Sequence, residues 1–268
     1  MTTTKHLDDE LLPAVVQAVQ AAGTHILNLF SIDARLGNQD EILAAVYTND
    51  KESLGVMRPA LEQARPGAGW VDDELGSGTL PPGEWWVTDA VEGNINHIHG
   101  MTDWGISATL VRDNLAVLTV VYLPIANNTY TAVRGSGAHL DGVRLHPSTK
   151  TDLKAALVGT GQAKPGEDRE TYRRIGRSVT AMLNAALVVR VSVPATLQLI
   201  HVAAGRMDVF WQHSAVRSGL LAGALLVEAA GGTISDIHGQ PWSLTSDDFL
   251  ATAPGLHTAA VAALAAIV

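Results

Sequence analysis

The sequence predicts a mixed α/β protein, of the α+β type, in which layers of helix and sheet alternate. Apolar residues recur with helical spacing over residues 7–30 and again after residue 48, and a meander of short strands then runs from 106 to 145. After that point strands and helices alternate along the chain. No low-complexity linker interrupts the 268 residues, so we expect one continuous body built from two halves, residues 1–145 and 146–268.

In the first half, two long helices precede the strands. The first is predicted over residues 7–30, and the second begins at a cap among Thr48, Asn49 and Asp50 and ends at Pro66-Gly67. The apolar run "GEWWVTD" predicts a buried strand that ends at Asp89. The meander strands are "GISATLV", "LAVLTVVYLP" and "TYTAVRGSGAHLDGVRL".

In the second half, each predicted helix is bounded by recognisable signals. The strands are "AALVGTG", "ALVVRVSV", "RMDVFWQ", "GTISDI" and "FLATAP". Helices are predicted for "EDRETYRRIGRSVTAMLN" and for "PATLQLIHVAAG", which has proline in its first turn. A further helix runs from a Ser218 cap to a stop at Gly231-Gly232, and an Ala-rich helix ends the chain.

The composition narrows the classes of function. There are 18 Lys and Arg against 27 Asp and Glu, and a net charge of −9 without any basic run argues against nucleic-acid binding. The chain has no cysteine, so thiolate metal sites are excluded. The acidic start is not typical of a signal peptide, and the Ala-rich tail is too short to span a membrane. We expect a cytoplasmic protein.

Acidic residues gather where predicted elements begin or end: Asp50, the run Asp72-Asp73-Glu74, and Asp89 with Glu92. Such loop ends are often just solvated surface. Carboxylates without basic partners also suit a hard cation such as Mg²⁺. Gly93-Asn94 then opens a predicted helix, whose N–H groups favour a phosphate beside that cation. Together these features are compatible with a phosphoester-cleaving site.

Four segments resemble the inositol monophosphatase family of Mg²⁺-dependent phosphatases. They are "WVTDAVEGNINHIHG", "RPGAGWVDDELG", "TAVRGSGAHLDGVRL" and "GLLAGALLVEAAGG", in the family's order and over nearly the whole length. The resemblance implies a layered αβαβα sandwich, a small anionic metabolite as substrate, and a homodimer. It implies metal binding by Asp73, Asp89, Glu92 and the carbonyl of Val91.

The same resemblance places Asn94 on a threonine that orients the attacking water, and Asp50 on the aspartate that partners it. Here the chain departs from the family. Asp73 stands for a glutamate and Glu92 for an aspartate, which shifts each carboxylate by one methylene. Gly219 stands where a metal-binding aspartate begins the late helix. Because Mg²⁺ demands near-octahedral oxygens at about 2.0–2.1 Å, we expect one metal position at most.

Other residues could take over tasks of the lost metal, either by binding the anion or by transferring protons. Arg217, two residues before Gly219, is positioned to clamp a phosphate or sulfate, although an ordinary surface arginine fits the sequence equally well. His97, His99 and His213 are candidates for proton transfer, and the alternative for each is a structural histidine.

Three functions remain open from the sequence. The first is a phosphomonoesterase with a weakened Mg²⁺ site. The second is a biosynthetic enzyme that expels phosphate or sulfate without metal, by elimination or intramolecular displacement. It would use Asp50, Asp89 or Glu92 as base, with the amides of Gly93 and Asn94 and the side chain of Arg217 as anion clamp. The third is a non-catalytic relative that acts as a partner protein.

Overall fold

A computed structural model describes residues 2–73, 76–164, 166–214 and 216–265, with side chains from residue 7. Its helices are α1 Thr2–Leu27, α2 Gln39–Ala64, α3 Asn94–Ile98, α4 Arg169–Ala185, α5 Ala195–Ala203, α6 Arg217–Ala230 and α7 His257–Ala265. Its strands are β1 Gly69–Trp70, β2 Glu84–Glu92, β3 Gly105–Arg112, β4 Leu115–Leu123, β5 Asn128–Val133, β6 Gly137–Leu140, β7 Val143–Arg144, β8 Leu157–Thr160, β9 Val188–Val191, β10 Val209–Gln212, β11 Thr233–Ser235 and β12 Phe249–Thr252.

The first sheet contains β1 to β7 in chain order. All pairs are antiparallel except β1 with β2, as the predicted meander requires. Side chains on a strand alternate between two faces, and in β2 both faces are buried. Trp86 packs in a cluster with Val19 of α1 and Met57 of α2, whereas Val87 packs in a different cluster with Leu199 of α5 and Leu225 of α6. The sheet therefore separates two helical layers.

The second sheet has the order β11-β12-β10-β8-β9. Strands β10, β8 and β9 are parallel, and β12 is antiparallel to β10. Phe210 of β10 packs with α5 and α6, and its neighbour Trp211 packs with Met182 of α4 and Ala260 of α7. The order of layers is therefore α1/α2, first sheet, α5/α6, second sheet, α4/α7. This confirms the predicted αβαβα sandwich, while the division at 145/146 stays a prediction.

Helix α2 begins at Gln39, well before the start predicted near Thr48. The Asn38 side chain accepts a hydrogen bond from the N–H of Glu41 at 3.0 Å, and the Glu41 carboxylate accepts one from the N–H of Gly37 at 2.8 Å. This reciprocal cap fixes the start of the helix at Gln39, so the predicted cap at Thr48, Asn49 or Asp50 is wrong. Those three residues lie inside α2 instead.

Helix α6 ends as predicted and starts slightly earlier. Gly231 closes it in the left-handed conformation with φ of 99°, which glycine adopts without strain. The helix starts at Arg217 after Val216, so Ser218 lies in its first turn and does not cap it. The terminal helix is present as α7, and none of the helices in the described ranges is long and apolar enough to cross a bilayer.

Two helical glycines should respond to alanine in opposite directions. A Cβ on Gly223 of α6 would collide with the Leu199 side chain of α5, so Gly223→Ala should lower the free energy of unfolding by about 1–3 kcal/mol. A Cβ on Gly176 of α4 meets no described atom within 4 Å, so Gly176→Ala should raise it by about 0.5–1 kcal/mol. Urea unfolding measures both, and equal effects of the two substitutions would contradict this packing.

Candidate active site

The candidate site forms where β2 ends. Asp89 pairs with Ser107 of β3, and Glu92 pairs with Gly105, so three steps along β2 are matched by two along β3. The extra residue is a β-bulge. Residues three apart on a regular strand point to opposite faces, and one inserted residue brings them back to the same face. The bulge therefore places both carboxylates on the side of the sheet that faces α5 and α6.

Glu92 is held by two hydroxyl groups. Its side chain is fully buried, and its Oε1 accepts hydrogen bonds from Ser107 Oγ at 2.9 Å and Thr196 Oγ1 at 2.7 Å. Thr196 Oγ1 also lies 3.0 Å from the carbonyl oxygen of Gly219. Because Thr196 carries a single hydroxyl proton, Glu92 and Gly219 compete for it. The lengthened side chain at 92 is thereby fixed beside the position that lacks a side chain.

Asp89 is a buried carboxyl group whose negative charge would have to be balanced by a cation or a proton. Its side chain is only 8% exposed, and its Oδ1 has no hydrogen-bond donor among the described residues. A backbone hydrogen bond from Val91 stabilises the charged form. Burial, and next the negative charge of Glu92, nevertheless raise the pKa of Asp89 well above its usual range. Either a proton or a bound cation must offset two carboxylates this close.

Asp50 meets this site from helix α2 through Asn94. The Asn94 Nδ2 donates to Asp50 Oδ1 at 2.7 Å and to the carbonyl of Val46 at 3.2 Å, and its Oδ1 accepts from Asn49 Nδ2 at 2.8 Å. Both amide hydrogens of Asn94 are therefore engaged. Burial raises the pKa of Asp50 to about 6, against the hydrogen bond from Asn94, which favours the carboxylate. A carboxyl group with this pKa is suited to accept a proton near neutral pH.

His97 is accounted for by packing. Its Nδ1 lies 3.0 Å from Asn49 Nδ2, its Nε2 lies 3.3 Å from the carbonyl of Ile26, and its ring makes edge contacts with Phe30 and Trp104. Burial lowers its pKa, which keeps the imidazole neutral at physiological pH. The contacts match the structural alternative for His97. Its role in proton transfer stays a prediction.

Gly93 connects the two halves of the chain at this point. It precedes α3 in the left-handed conformation with φ of 75°. A Cβ here would lie 2.8 Å from the carbonyl oxygen of Asp103 and 2.9 Å from Cδ of Pro194, so only glycine fits. The first turn of α3 leaves backbone N–H groups without helical partners, as the predicted anion clamp at Gly93 and Asn94 requires.

Asp73, the other carboxylate predicted to bind the metal, is not grouped with Asp89 and Glu92 in the described structure. Asp73 is exposed, and its backbone carbonyl accepts the N–H of Gly76 at 3.2 Å. Across the described ranges, no three His, Asp or Glu side chains come together in a group that could hold a metal. Asp73 as a ligand therefore stays a prediction, and Glu74 lies outside the described residues. At Gly219, Val216 Cγ1 at 3.9 Å is the single described atom that a Cβ would meet within 4 Å, so among the described residues nothing fills the place of the missing ligand.

Arg217 holds a loop in the structure. Its Nη2 donates to the carbonyls of Ser77 at 2.6 Å and Gly78 at 3.0 Å, and its backbone N–H donates to Gly76 at 3.0 Å. Its Nε lies 3.3 Å from Gly78 as well. The side chain is buried, which lowers its pKa, while the charge of Asp73 acts in the opposite direction. Anion binding by Arg217 stays a prediction. Within the described structure Nε and Nη2 are engaged, so the N–H groups of Nη1 are the donors that could bind an anion.

Three residues of the site are not predicted from the sequence: Asn49, Ser107 and Thr196. The sequence predicts Asn49 only as a possible helix cap. The pattern Asn38-x-x-Glu41 is the signal that places the start of the helix earlier, with Asn49 inside it. Ser107 lies opposite Asp89 once the meander register is known. Thr196 follows the predicted proline of α5, but its contact with Glu92 joins residues 104 positions apart, which no local pattern reveals.

The family model for the inositol monophosphatase family matches residues 7–268, nearly the entire chain. The chain belongs to the inositol monophosphatase family. An inositol-1-monophosphatase of Rhizobium meliloti is 32% identical over 235 residues, covering 85% of this chain and 86% of its own length. A Nus factor SuhB of Pseudomonas aeruginosa is 30% identical over 236 residues, with the same two coverages.

Solved structures of the family share the fold. The inositol monophosphatase of Anabaena superposes with a TM-score of 0.81 at 23% identity, covering 96% of each chain. At this identity the likeness speaks for the αβαβα architecture alone. Membership in the inositol monophosphatase family and the fold are thus both confirmed, and the family supports a phosphatase-like activity.

Removing the Thr196 hydroxyl should destabilise the folded protein. Thr196→Val keeps the side-chain shape and deprives buried Glu92 of one donor, so the free energy of unfolding should fall by about 1–3 kcal/mol. Thr196→Ser keeps the hydroxyl and is the matched control. Urea unfolding at pH 7 compares them, and similar losses in both variants would mean that the hydrogen bond contributes nothing.

The raised pKa of Asp50 makes the stability of the folded protein depend on pH. A folded-state pKa of about 6, against an ordinary value of 3.8, means that the folded state binds more protons between those values. The contribution of Asp50 to stability therefore falls as pH rises through this window. Relative to wild type, Asp50→Asn should gain stability between pH 4 and pH 7, as measured by urea unfolding at several pH values. A constant difference across that range would contradict the shift.

Proposed function

We propose that this protein hydrolyses the phosphomonoester of a small anionic metabolite at a weakened Mg²⁺ site. The observation that carries the proposal is the pair of carboxylates, Asp89 and Glu92, buried on one face of a bulged strand. Asp89 presents an oxygen that lacks a donor among the described residues. Buried carboxylate oxygens in this state favour a hard cation, and family membership supports a phosphatase-like reaction beside it.

The residues present fit one cation. Asp89 and Glu92 supply carboxylate oxygens, and the intervening Val91 supplies a backbone carbonyl, all of which are hard ligands of the type Mg²⁺ prefers. When bound, Mg²⁺ would supply positive charge that stabilises the phosphoryl oxygens during transfer. Gly219 provides no ligand for a second ion. Asp73 is the third carboxylate assigned to the site by the sequence, and we propose that it approaches the pair only when the cation is bound.

The protein's own groups would move and position protons around this cation. We assign Asp50 as the general base, because its raised pKa of about 6 keeps it able to accept a proton from water at neutral pH. Asn94 orients Asp50 through its amide and, with Gly93, presents backbone N–H groups to the phosphate. Asn94 itself has no hydroxyl to relay a proton, which limits the rate that this arrangement supports.

The substrate class follows from the relatives. The Rhizobium meliloti relative is named for inositol 1-monophosphate. We propose that a phosphorylated polyol of this kind is the first substrate to test, within a panel of small phosphomonoesters and sulfate esters. Pro194 packs against Gly93 at the start of α5, so it and Ala195 bring an apolar surface next to the proposed anion clamp.

We also propose that the protein acts as a cytoplasmic homodimer. Strand β9 lies at an edge of the second sheet, where an unpaired strand is a template for association. Leu183, Leu187, Val188 and Val191 all expose apolar side chains next to this edge. An apolar patch along a free strand edge supports pairing with a second copy.

A second candidate function is a partner protein without catalytic activity. Two observations favour it: Gly219 has no ligand side chain, and every polar atom of the Asn94 side chain is bonded inside the protein. Relatives named Nus factor SuhB, such as that of Pseudomonas aeruginosa, carry a name that refers to a factor rather than to a hydrolase. Such a role needs neither metal nor turnover.

Restoring the missing ligand provides a test of the metal site. Gly219→Asp has room for its Cβ and places an acid in the first turn of α6, where the helix dipole favours it. We expect Mg²⁺ to bind this variant at least about tenfold more tightly than wild type, a difference of roughly 1.4 kcal/mol. Gly219→Asn is the uncharged control, and Asp89→Asn should abolish binding. Isothermal titration with Mg²⁺ and Mn²⁺ measures all four proteins.

The same four proteins separate the candidate functions. Hydrolysis that requires Mg²⁺ and rises in Gly219→Asp supports the phosphatase. Turnover that persists in a metal chelator, with a product other than the alcohol, would instead identify the metal-independent displacement. Absence of both metal binding and turnover in folded wild type would leave the partner role.

A further inference from the structure

A second polar cavity lies on the far side of the second sheet from the carboxylate pair. Its volume is about 220 Å³, several times the roughly 30 Å³ that a water molecule occupies in the liquid. It is lined by residues of α4 and of the loops around β10, β11 and β12: Glu170, Arg174, Arg177, His213, Ile237, His238 and Asp248. Gln212 of β10 pairs with Phe249 of β12, so the next residues, His213 and Asp248, lie side by side where these two strands end and begin.

His213 is the unusual member of this lining. Its side chain is 6% exposed, and neither ring nitrogen has a hydrogen-bond partner among the described residues. Burial, and then the positive charge of Arg174, lower its pKa to about 4. A buried imidazole without hydrogen-bond partners is unfavourable, because its polar nitrogens have lost water and gained nothing in its place. His213 lines the cavity, and a half-turn about its Cβ–Cγ bond would exchange the positions of its ring nitrogens and carbons.

The cavity also gathers positive charge in an otherwise acidic protein. The whole chain has a net charge of −9, yet Arg174 and Arg177 both line this wall. Arg174 forms no ion pair or hydrogen bond within the part of the chain that the structure describes. Arg177 has only a long contact to Glu170, at 3.4 Å, which Glu170 shares with Arg173. Both guanidinium groups thus retain donors for another ligand.

Two carboxyl groups also line the cavity, and each already has a partner within the described structure. Glu170 is shared between two arginines, and Asp248 accepts the N–H of Ile237 at 2.8 Å. Burial raises the pKa of Asp248, and the nearby charges of Asp236 and Asp247 act in the same direction. Two guanidinium groups and two imidazoles face this cavity, and N–H donors of this kind suit an anion.

We propose that the cavity formed by Arg174, Arg177, His213 and His238 is a second anion site that binds a phosphate group. Guanidinium groups bind phosphate oxygens in a bidentate manner, and a phosphate would give the His213 ring the partner that it lacks. The site is independent of the carboxylate pair and of the proposed hydrolysis. Free phosphate and the phosphate of a metabolite share this chemistry, and they differ in whether the rest of the molecule adds affinity.

Histidine resonances provide a local readout of this site. In protein labelled on its ten histidines, inorganic phosphate at constant ionic strength should shift the signals of His213 and His238 saturably. The signals are assigned with His213→Gln and His238→Gln. The double variant Arg174→Gln/Arg177→Gln should weaken this binding at least about tenfold. Arg173→Gln is the matched control on the same helix, because Arg173 pairs with Glu170 and does not line the cavity.

Inositol 1-phosphate in place of inorganic phosphate distinguishes the two sources, since tighter binding of the ester identifies a metabolite and equal binding identifies free phosphate. Three results would overturn the site: no saturable shift at His213 and His238, a shift that survives in the double variant, or an equal loss in Arg173→Gln. The last result would show that general attraction to α4, rather than a built pocket, accounts for the effect.

Discussion

Two negative charges buried side by side repel each other more strongly than they would in water, because the protein interior screens charge poorly. Asp89 and Glu92 would be in this situation if both were ionised, because the bulge in β2 places them side by side, and the pKa of Asp89 is raised by burial and by the charge of Glu92 as a result. Neighbouring groups reduce the cost without removing it. Ser107 and Thr196 donate to Glu92, Val91 donates to Asp89, and one Asp89 oxygen has no donor within the described structure. The fold thus keeps, at the end of a rigid strand, a pair of carboxyl groups that requires either a proton or a cation.

The surrounding layers explain how such a region survives. The first sheet is covered on both faces, and the apolar contacts of Trp86 on one side and Val87 on the other fix β2 in register. Since native proteins have only about 5–15 kcal/mol of net stability, an unfavourable pair can persist only where such contacts outweigh it. Strain of this kind is commonly concentrated at functional sites.

The layered fold was predictable because its signals are local and periodic. The helical spacing over residues 7–30, the meander and the glycine that ends α6 each correspond to a structural element. The start of α2 was not found, since Asn38 and Glu41 form their cap in a polar stretch without apolar periodicity. Asp89 and Glu92 were recognised in sequence, but their common face depends on a bulge, and Thr196 depends on tertiary packing.

The contacts that complete this region connect distant parts of the chain, and this has a consequence for biosynthesis. Thr196 is 104 residues from Glu92, and Asn96 bonds to Val193 across 97 residues. A ribosome adds about 5–20 residues each second, so β2 emerges several seconds before α5. During that interval the nascent sheet carries its acidic pair without the threonine donor and without the proline that packs on Gly93. The buried surroundings of the two carboxyl groups are therefore completed late in folding, after both halves of the chain have met.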